Sequence, residues 1–246
     1  MQSRIPHSSL ATLPSILGGI LCALAAVPAV QAQIPLTATY SEAFNNIDAA
    51  KTANAYPWTD NSTIPGWYAA VNGKPAPQFR VTKGGTASVT PSVWIVRTVP
   101  TEAALGSISG TKADKPVLTT FGAAFVNKTG KTITSLDIAY HGEQWGHGPG
   151  GADKLVFEYS LNATSLDSGT WTAEPKLNFN APLTANSMFA GVDGNVPANS
   201  ANIKASLSGL SIAPGATFWI RWAHPIVEGG NQGLAVDDFT LTPQVQ

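Results

Sequence analysis

Four stretches of this chain alternate apolar and polar side chains with a period of two, and beyond the first thirty residues no window keeps a helical period. Leu136, Ile138 and Tyr140 fall on one side of a run whose other side carries Ser135, Asp137 and Ala139. Leu155, Phe157 and Tyr159 alternate with Val156, Glu158 and Ser160, and Phe218, Ile220 and Trp222 alternate with Trp219, Arg221 and Ala223. Ile203, Ala205 and Leu207 give the fourth, closed by Ser208-Gly209. Successive side chains of a strand point to opposite faces, so each run predicts a strand that buries one face. The apolar run 117–126, the turn Asn127-Lys128-Thr129-Gly130 and the run 132–140 predict a hairpin. Eighteen prolines and 23 glycines fall mostly between the runs as punctuation. A single helical turn is predicted over Asp48–Asn54, stopped by Pro57. The pattern predicts one all-β domain of about ten strands, a β-sandwich of two antiparallel sheets. So many non-local pairings imply slow folding, which suits export before folding.

The amino-terminal residues read as a secretory signal, residues 1–32. Arg4 is the only charged side chain before Glu42, an apolar stretch runs over 10–30, and Val30-Gln31-Ala32 is a small-residue cleavage site. A membrane anchor is the competing reading, but Gly18, Gly19, Pro14 and Pro28 shorten the apolar helix below the roughly 20 residues a span requires. Cys22 is the single cysteine and is preceded by Gly19-Ile20-Leu21, which is not a lipid-attachment box. Cleavage would leave a domain at residues 33–246 with no thiol, so its stability must come from a large core, metals or both. The expected location is secreted or periplasmic, with no membrane contact after cleavage. Net charge is −1 and charged residues make up only 12% of the chain. No basic cluster exists for nucleic acid to read.

Chemistry-bearing residues gather in three places. Tyr40-Ser-Glu-Ala-Phe-Asn-Asn46 holds Glu42, and Gly233–Thr242 holds the adjacent Asp237 and Asp238 inside an otherwise apolar run. Unpaired buried carboxylates are costly, so such acids sit at a rim, accept several hydrogen bonds or coordinate a hard cation. Strand alternation predicts that Asp237 and Asp238 face opposite ways. The third place, 141–152, reads as a glycine-rich loop carrying His141, Glu143, Gln144, Trp145 and His147. An exposed Trp145 beside these polar groups suits stacking on a sugar ring and bonding its hydroxyls; the alternative is a Trp folded over the sandwich end. The order His-x-Glu-x-x-x-His is not the helical zinc pair. Trp94 and Trp222 read as core, and Trp219 as exposed or covered by a loop. Catalysis finds little: no Gly-x-Ser-x-Gly elbow is present, and Glu143 with Glu158 or Asp153 lacks the alternating acids along one strand that jelly-roll glucanases show. A Ser-His-Asp arrangement stays open.

Ser-Glu-Ala-Phe-Asn-Asn with a downstream Ile64-Pro-Gly-Trp67, and the closing Gly-Leu-Ala-Val-Asp-Asp-Phe-Thr-Leu, resemble jelly-roll domains of the cleaved-adhesin type and, more distantly, MAM domains. The middle is similar to bacterial exported domains found in sorting-anchor (PEP-CTERM-type) proteins, through Phe125–Gly130, Thr134–Tyr140, Gly142–Trp145, Asp153–Ser160 and Gly215–Trp222. The resemblance implies a jelly-roll sandwich used in adhesion or glycan contact. It also implies structural calcium held by Glu42, Asp237 and Asp238, with Asp48 as a further acid. Leu241–Gln246 carries no Pro-Glu-Pro tripeptide, apolar span or basic tail, so release rather than anchoring is expected. The expected function is that of a secreted, non-catalytic, surface- or polysaccharide-binding or adhesion-like domain, whose partner is extracellular polysaccharide or a cell-surface glycan. An exported glycan-active hydrolase or lyase using Glu143 is the alternative, and a structural extracellular matrix protein the second alternative.

Overall fold

The computed structural model describes residues 33–47, 51, 54–82, 90–97, 102–112, 114–184, 186–229 and 231–246. The signal segment, Cys22, Asp48 and most of the predicted helical turn lie outside the described residues. In chain order the strands are β1 (Ile34–Leu36), β2 (Tyr40–Glu42), β3 (Ala55–Pro57), β4 (Trp67–Val71), β5 (Lys74–Pro75), β6 (Gln78–Thr82) and β7 (Ser92–Val96). There follow β8 (Ala104–Ile108), β9 (Gly110–Lys112), β10 (Lys115–Val117), β11 (Thr119–Asn127), β12 (Ile133–His147) and β13 (Lys154–Ser160). The remainder are β14 (Thr172–Ala173), β15 (Phe179–Asn180), β16 (Ala190–Gly191), β17 (Ser200–Ile212), β18 (Thr217–His224) and β19 (Gly233–Val245), with two short 3-10 turns at Pro175–Leu177 and Pro197–Asn199. Among the described residues no helix is long and apolar enough to cross a membrane.

These strands make the two-sheet sandwich that the alternation predicts, the jelly-roll sandwich that the resemblance implies. One sheet runs β14-β13-β18-β11-β4-β5, with β1 beside β11 and β15 beside β13. The other runs β16-β12-β19-β8-β7-β6-β3, with β17 beside β12 and β2 beside β19. Pairing is antiparallel except for β1 with β11 and β6 with β7, which are parallel, so both sheets are mixed rather than purely antiparallel. The inward residues of the four alternating runs meet between the sheets. Trp222 lies at the centre, stacked on Trp67 at 6.0 Å and on Phe121 at 5.7 Å, with Tyr140, Phe157 and Phe239 edge-on. Trp219, on the other face of β18, is buried beneath Ala163, Leu166 and Trp171 of the loop between β13 and β14.

Three local expectations change. The Asn127–Lys131 turn is not a hairpin, because β11 and β12 belong to different sheets. It is an arch across the sandwich edge, held by the Asn127 side chain. Its Nδ2 donates to the Lys131 and Ile212 carbonyls, both at 2.8 Å, and its Oδ1 accepts from Thr129 N at 3.0 Å. Strand β17 is not closed by Ser208-Gly209; it passes through Gly209, at φ +74°, with a register shift against β12, and ends at Ile212. The third concerns 141–152, where β12 continues to His147. Gly142 and Gly146 there leave room for aromatic rings instead of turning the chain: a Cβ would meet Phe179 Cδ2 at 2.4 Å on Gly142 and Phe189 Cζ at 2.3 Å on Gly146.

The two acid-bearing runs meet, as their sequences suggest. β2 pairs antiparallel with β19, Glu42 opposite Phe239 and Tyr40 opposite Leu241. Further up the same edge, β19 pairs with β8 through Leu234–Val236. Where it changes partner, a bulge sets Asp237 opposite His141 but Thr240 opposite Ala139. Asp238 takes φ +47°, a region Asp tolerates better than most residues, and its N–H donates to Asp237 Oδ1 at 2.7 Å. The extra residue lets Val236 and Phe239 both reach the core while Asp237 and Asp238 stay off it. Simple alternation, which puts the two acids on opposite faces, fails for this reason.

Candidate functional site

The outward face of the second sheet collects most of the unusual chemistry. Along β12 the outward residues are Asp137, Ala139, His141, Glu143 and Trp145. Trp145 is 4% exposed, packed with Trp94, Val96, Ala104, Ile108 and Ala235 beneath Phe189. The backbone of Gly194 closes over it, so close that a Cβ there would meet the indole at 2.5 Å. Trp145 is therefore the folded-over indole and not an exposed platform. Its Nε1 donates to Glu143 Oε2 at 2.8 Å. A cleft of about 320 Å³ borders this cluster, lined by Thr82, Trp94, Val96, Ile108, Trp145 and Phe189 among others.

Next to the indole lies a knot of acids. Carboxylate oxygens of Glu102, Glu143 and Asp237 all lie within 4.8 Å of one another. They come from the segment just before β8, from β12 and from the β19 bulge. Glu143 is 1% exposed and its Oε1 accepts no hydrogen bond; His141 Nδ1 stands 3.5 Å away. Burial pushes the Glu143 carboxyl up to about 7, opposed by the indole bond and helped by the charges of Glu102, Asp238 and Asp193. Burial likewise raises Asp237 to about 8, with Glu143, Asp238 and Glu102 adding repulsion against the Asp238 N–H bond.

Beyond the acids the face opens. A groove of about 750 Å³ is lined by Ala139, His141, Asn202, Lys204 and Asp238, and a neighbouring one of about 530 Å³ by Asp137, Ala139, Lys204, Ser206, Thr240 and Thr242. Ala139 and Lys204 border both, so they form one trough along β12 between β17 and β19. Its small floor follows from Ala139, and its polar walls from the outward positions of β17 and β19.

Of the residues singled out in sequence, His141, Glu143 and Trp145 thus share one face with Asp237 and Asp238. Gln144 points the other way, buried, donating to the Gly146 and Leu183 carbonyls and to Gln232 Oε1. His147 ends β12 with its buried Nε2 lacking a hydrogen-bond partner. Glu42 is separated from the Asp pair: its cross-strand partner is the core residue Phe239, so the two side chains share the core side of the sheet. Its oxygens accept from Phe44 N at 2.8 Å and Tyr40 OH at 3.3 Å. The carboxylates that gather with Asp237 are Glu102 and Glu143, and Glu42 is not among them. Glu102, Asn202 and Lys204 escape sequence reading because nothing in their local pattern marks them.

A Ser-His-Asp line does exist elsewhere. Ser107 Oγ lies 2.9 Å from His224 Nδ1, and His224 Nε2 lies 3.0 Å from Asp153 Oδ2. Asp153 also accepts from Gln232 N at 2.8 Å, Asn231 Nδ2 at 3.1 Å and Lys154 N at 2.7 Å. A hydrolase needs Nε2 toward the serine and Nδ1–H toward the acid; here the ring is reversed. Ser107, His224 and Asp153 are 1%, 1% and 3% exposed. They form a strut across the sandwich.

No family model matches the chain, and no curated protein matches it. The sorting-anchor family suggested by the mid-chain motifs therefore gains no support from these comparisons. Among similar solved structures is a cleaved adhesin domain of Lys-gingipain from Porphyromonas gingivalis, 11% identical, covering 84% of this chain and 98% of that one, with a TM-score of 0.38. Another is a xylan-binding domain from Paenibacillus barcinonensis, 11% identical, covering 80% of this chain and 99% of that one, TM-score 0.33. A third is the enzymatically active domain of a tailspike protein from bacteriophage CBA120, 11% identical, covering 73% of this chain, TM-score 0.34. This chain spans 19% of that tailspike's length. The sandwich assignment stands on the strand pairing itself.

Proposed function

We infer that the chain is an exported, non-catalytic binding domain whose β17-β12-β19 trough contacts extracellular polysaccharide or a cell-surface glycan. The observation that carries this reading is the trough: an open channel with a small-residue floor, apolar stretches of wall and both donors and acceptors along it. Lys204 and Asn202 offer N–H donors, while Asp238, Asp137, Thr240 and Thr242 offer oxygens. Such alternation suits the adjacent hydroxyls of a sugar ring, which are both donors and acceptors. The trough holds no exposed aromatic ring, so affinity would come from polar contacts repeated along a polymer and be weak per sugar.

The test is affinity electrophoresis of the mature protein through a panel of soluble polysaccharides. Retardation by at least one polymer, lost in Asn202→Ala/Lys204→Ala with an unchanged melting temperature, is the expected result. No retardation by any polymer, or equal retardation of the variant, would discard the reading in favour of a matrix role.

A hydrolase reading draws on one observation, the closeness of Glu143 and Asp237 with raised protonation. Retaining glycosidases place two carboxyls about 5–5.5 Å apart. Against it, Glu143 and Asp237 are 1% and 5% exposed, under the Trp145 cluster, where a sugar cannot reach them. Reducing-sugar release abolished by Glu143→Gln would reverse that ordering.

A further inference from the structure

We propose that Glu102, Glu143 and Asp237 form a binding site for one divalent cation of calcium's size, at a place other than the trio implied by resemblance. Three observations converge. One oxygen from each carboxylate lies within 4.8 Å of the others, and oxygens bound about 2.4 Å from a calcium ion can be at most about 4.8 Å apart.

The second observation is independent of the clustering. Glu143 is 1% exposed and keeps Oε1 without a hydrogen bond, although its other oxygen takes the Trp145 indole N–H. A buried carboxylate oxygen left without a hydrogen bond is among the costlier arrangements a fold can hold. The charged groups facing it compound the cost: Glu102, Asp193, Asp237 and Asp238 are acidic, and among the described residues only His141, at 3.5 Å, forms a basic contact with it. A cation supplies the missing partner and the missing charge together. The donors are all oxygen, which favours a hard ion over zinc or copper.

The third is where the ligands come from. Asp237 belongs to the bulge at which β19 leaves β8 for β2, Glu143 lies diagonally from it on β12, opposite Ala235, and Glu102 leads into β8. An ion there would tie the three elements at a point where the β12–β19 ladder is interrupted. Glu102 is only half-buried, which leaves solvent oxygens a route to the remaining coordination positions. This proposal does not rest on the glycan reading: Lys204 and Asn202 take no part in it.

The experiment is isothermal titration of calcium into chelator-stripped mature protein, with melting temperature followed in parallel. One bound ion per chain is expected, with a calcium-dependent rise in melting temperature. Glu143→Gln and Asp237→Asn should each weaken binding by at least about tenfold, while Glu42→Gln should leave it unchanged. Terbium bound in place of calcium should luminesce on indole excitation, and Trp145→Phe should dim that emission without removing binding. If Glu143→Gln misfolds, the wild-type heat, the terbium signal and the Trp145→Phe comparison still test the location. The proposal is overturned by no calcium heat on wild type, by undiminished binding in both carboxamide variants, or by binding lost in Glu42→Gln but kept in Glu143→Gln.

Discussion

Replacing Gly142 by Ala tests whether the predicted loop is truly the second half of a long inward-packed strand. The added methyl would sit 2.4 Å from Phe179 Cδ2 and 2.5 Å from its Cγ, about an ångström inside ordinary contact. Phe179 cannot swing aside freely: it is 0% exposed and its backbone pairs with Leu155 of β13. Overpacking of a filled core costs about 1–3 kcal/mol, and Ala recovers roughly 0.5–1 kcal/mol of backbone entropy relative to Gly. The net loss should be about 1–2 kcal/mol. For a domain of this size that lowers the melting temperature by roughly 2–8 °C. Thermal denaturation followed by circular dichroism reads this directly. Phe179→Leu in the same background should recover part of the loss, since it clears the ring from the new methyl. A Gly142→Ala protein as stable as wild type, or more so, would refute the strand placement and with it the row His141, Glu143, Trp145.

Four further outcomes follow from the geometry. In chelator-treated protein, stability should fall as pH rises from about 5 to about 8. Folded Glu143 and Asp237 keep their protons up to about 7 and about 8, whereas the unfolded chain loses them near 4, so the native state binds more protons across that window; a flat or rising urea midpoint would contradict it. Trp222→Ala should cost about 3–5 kcal/mol by removing the ring at the centre of the aromatic core, read as a lowered urea midpoint. His224→Ala should cost about 3 kcal/mol, because it strips Ser107 and one oxygen of Asp153 of a buried partner; an unchanged midpoint would mean the strut carries no weight. Asp238→Gly should leave the melting temperature level or raise it, and Asp238→Val should lower it by about 1–2 kcal/mol equivalent, since only the second worsens a left-handed backbone.

The alternating runs were legible because a half-buried strand writes its two faces into every second residue, as Leu136, Ile138 and Tyr140 do. Which strand lies beside which was not. Asn127-Lys-Thr-Gly130 has the turn chemistry of a hairpin, and only the bond from Asn127 to the distant Ile212 carbonyl shows an arch. Gly142 and Gly146 read as turn formers because sequence cannot display the rings of Phe179 and Phe189 that occupy the missing side chains. The pairing of the two chain ends was legible from their matching β-prone, acid-bearing runs. The bulge that turns Asp237 and Asp238 to one side and leaves Glu42 on the other was not, because it arises from β19 exchanging β8 for β2. Glu102 carried no signal at all: it is a lone acid between Thr101 and Ala103, and the acids it meets, Glu143 and Asp237, are far away in sequence.

That exchange has an assembly consequence. The strand Gly233–Val245 is the keystone between β12 on one flank and β8 and β2 on the other, although it follows all of them in chain order. Without it, the second sheet is two separate ribbons and the lone strand β2, with open backbone edges where β19 should lie. The polypeptide therefore cannot lock itself shut until that strand is free to pair, and a chain halted before Gly233 would present sticky margins to its neighbours.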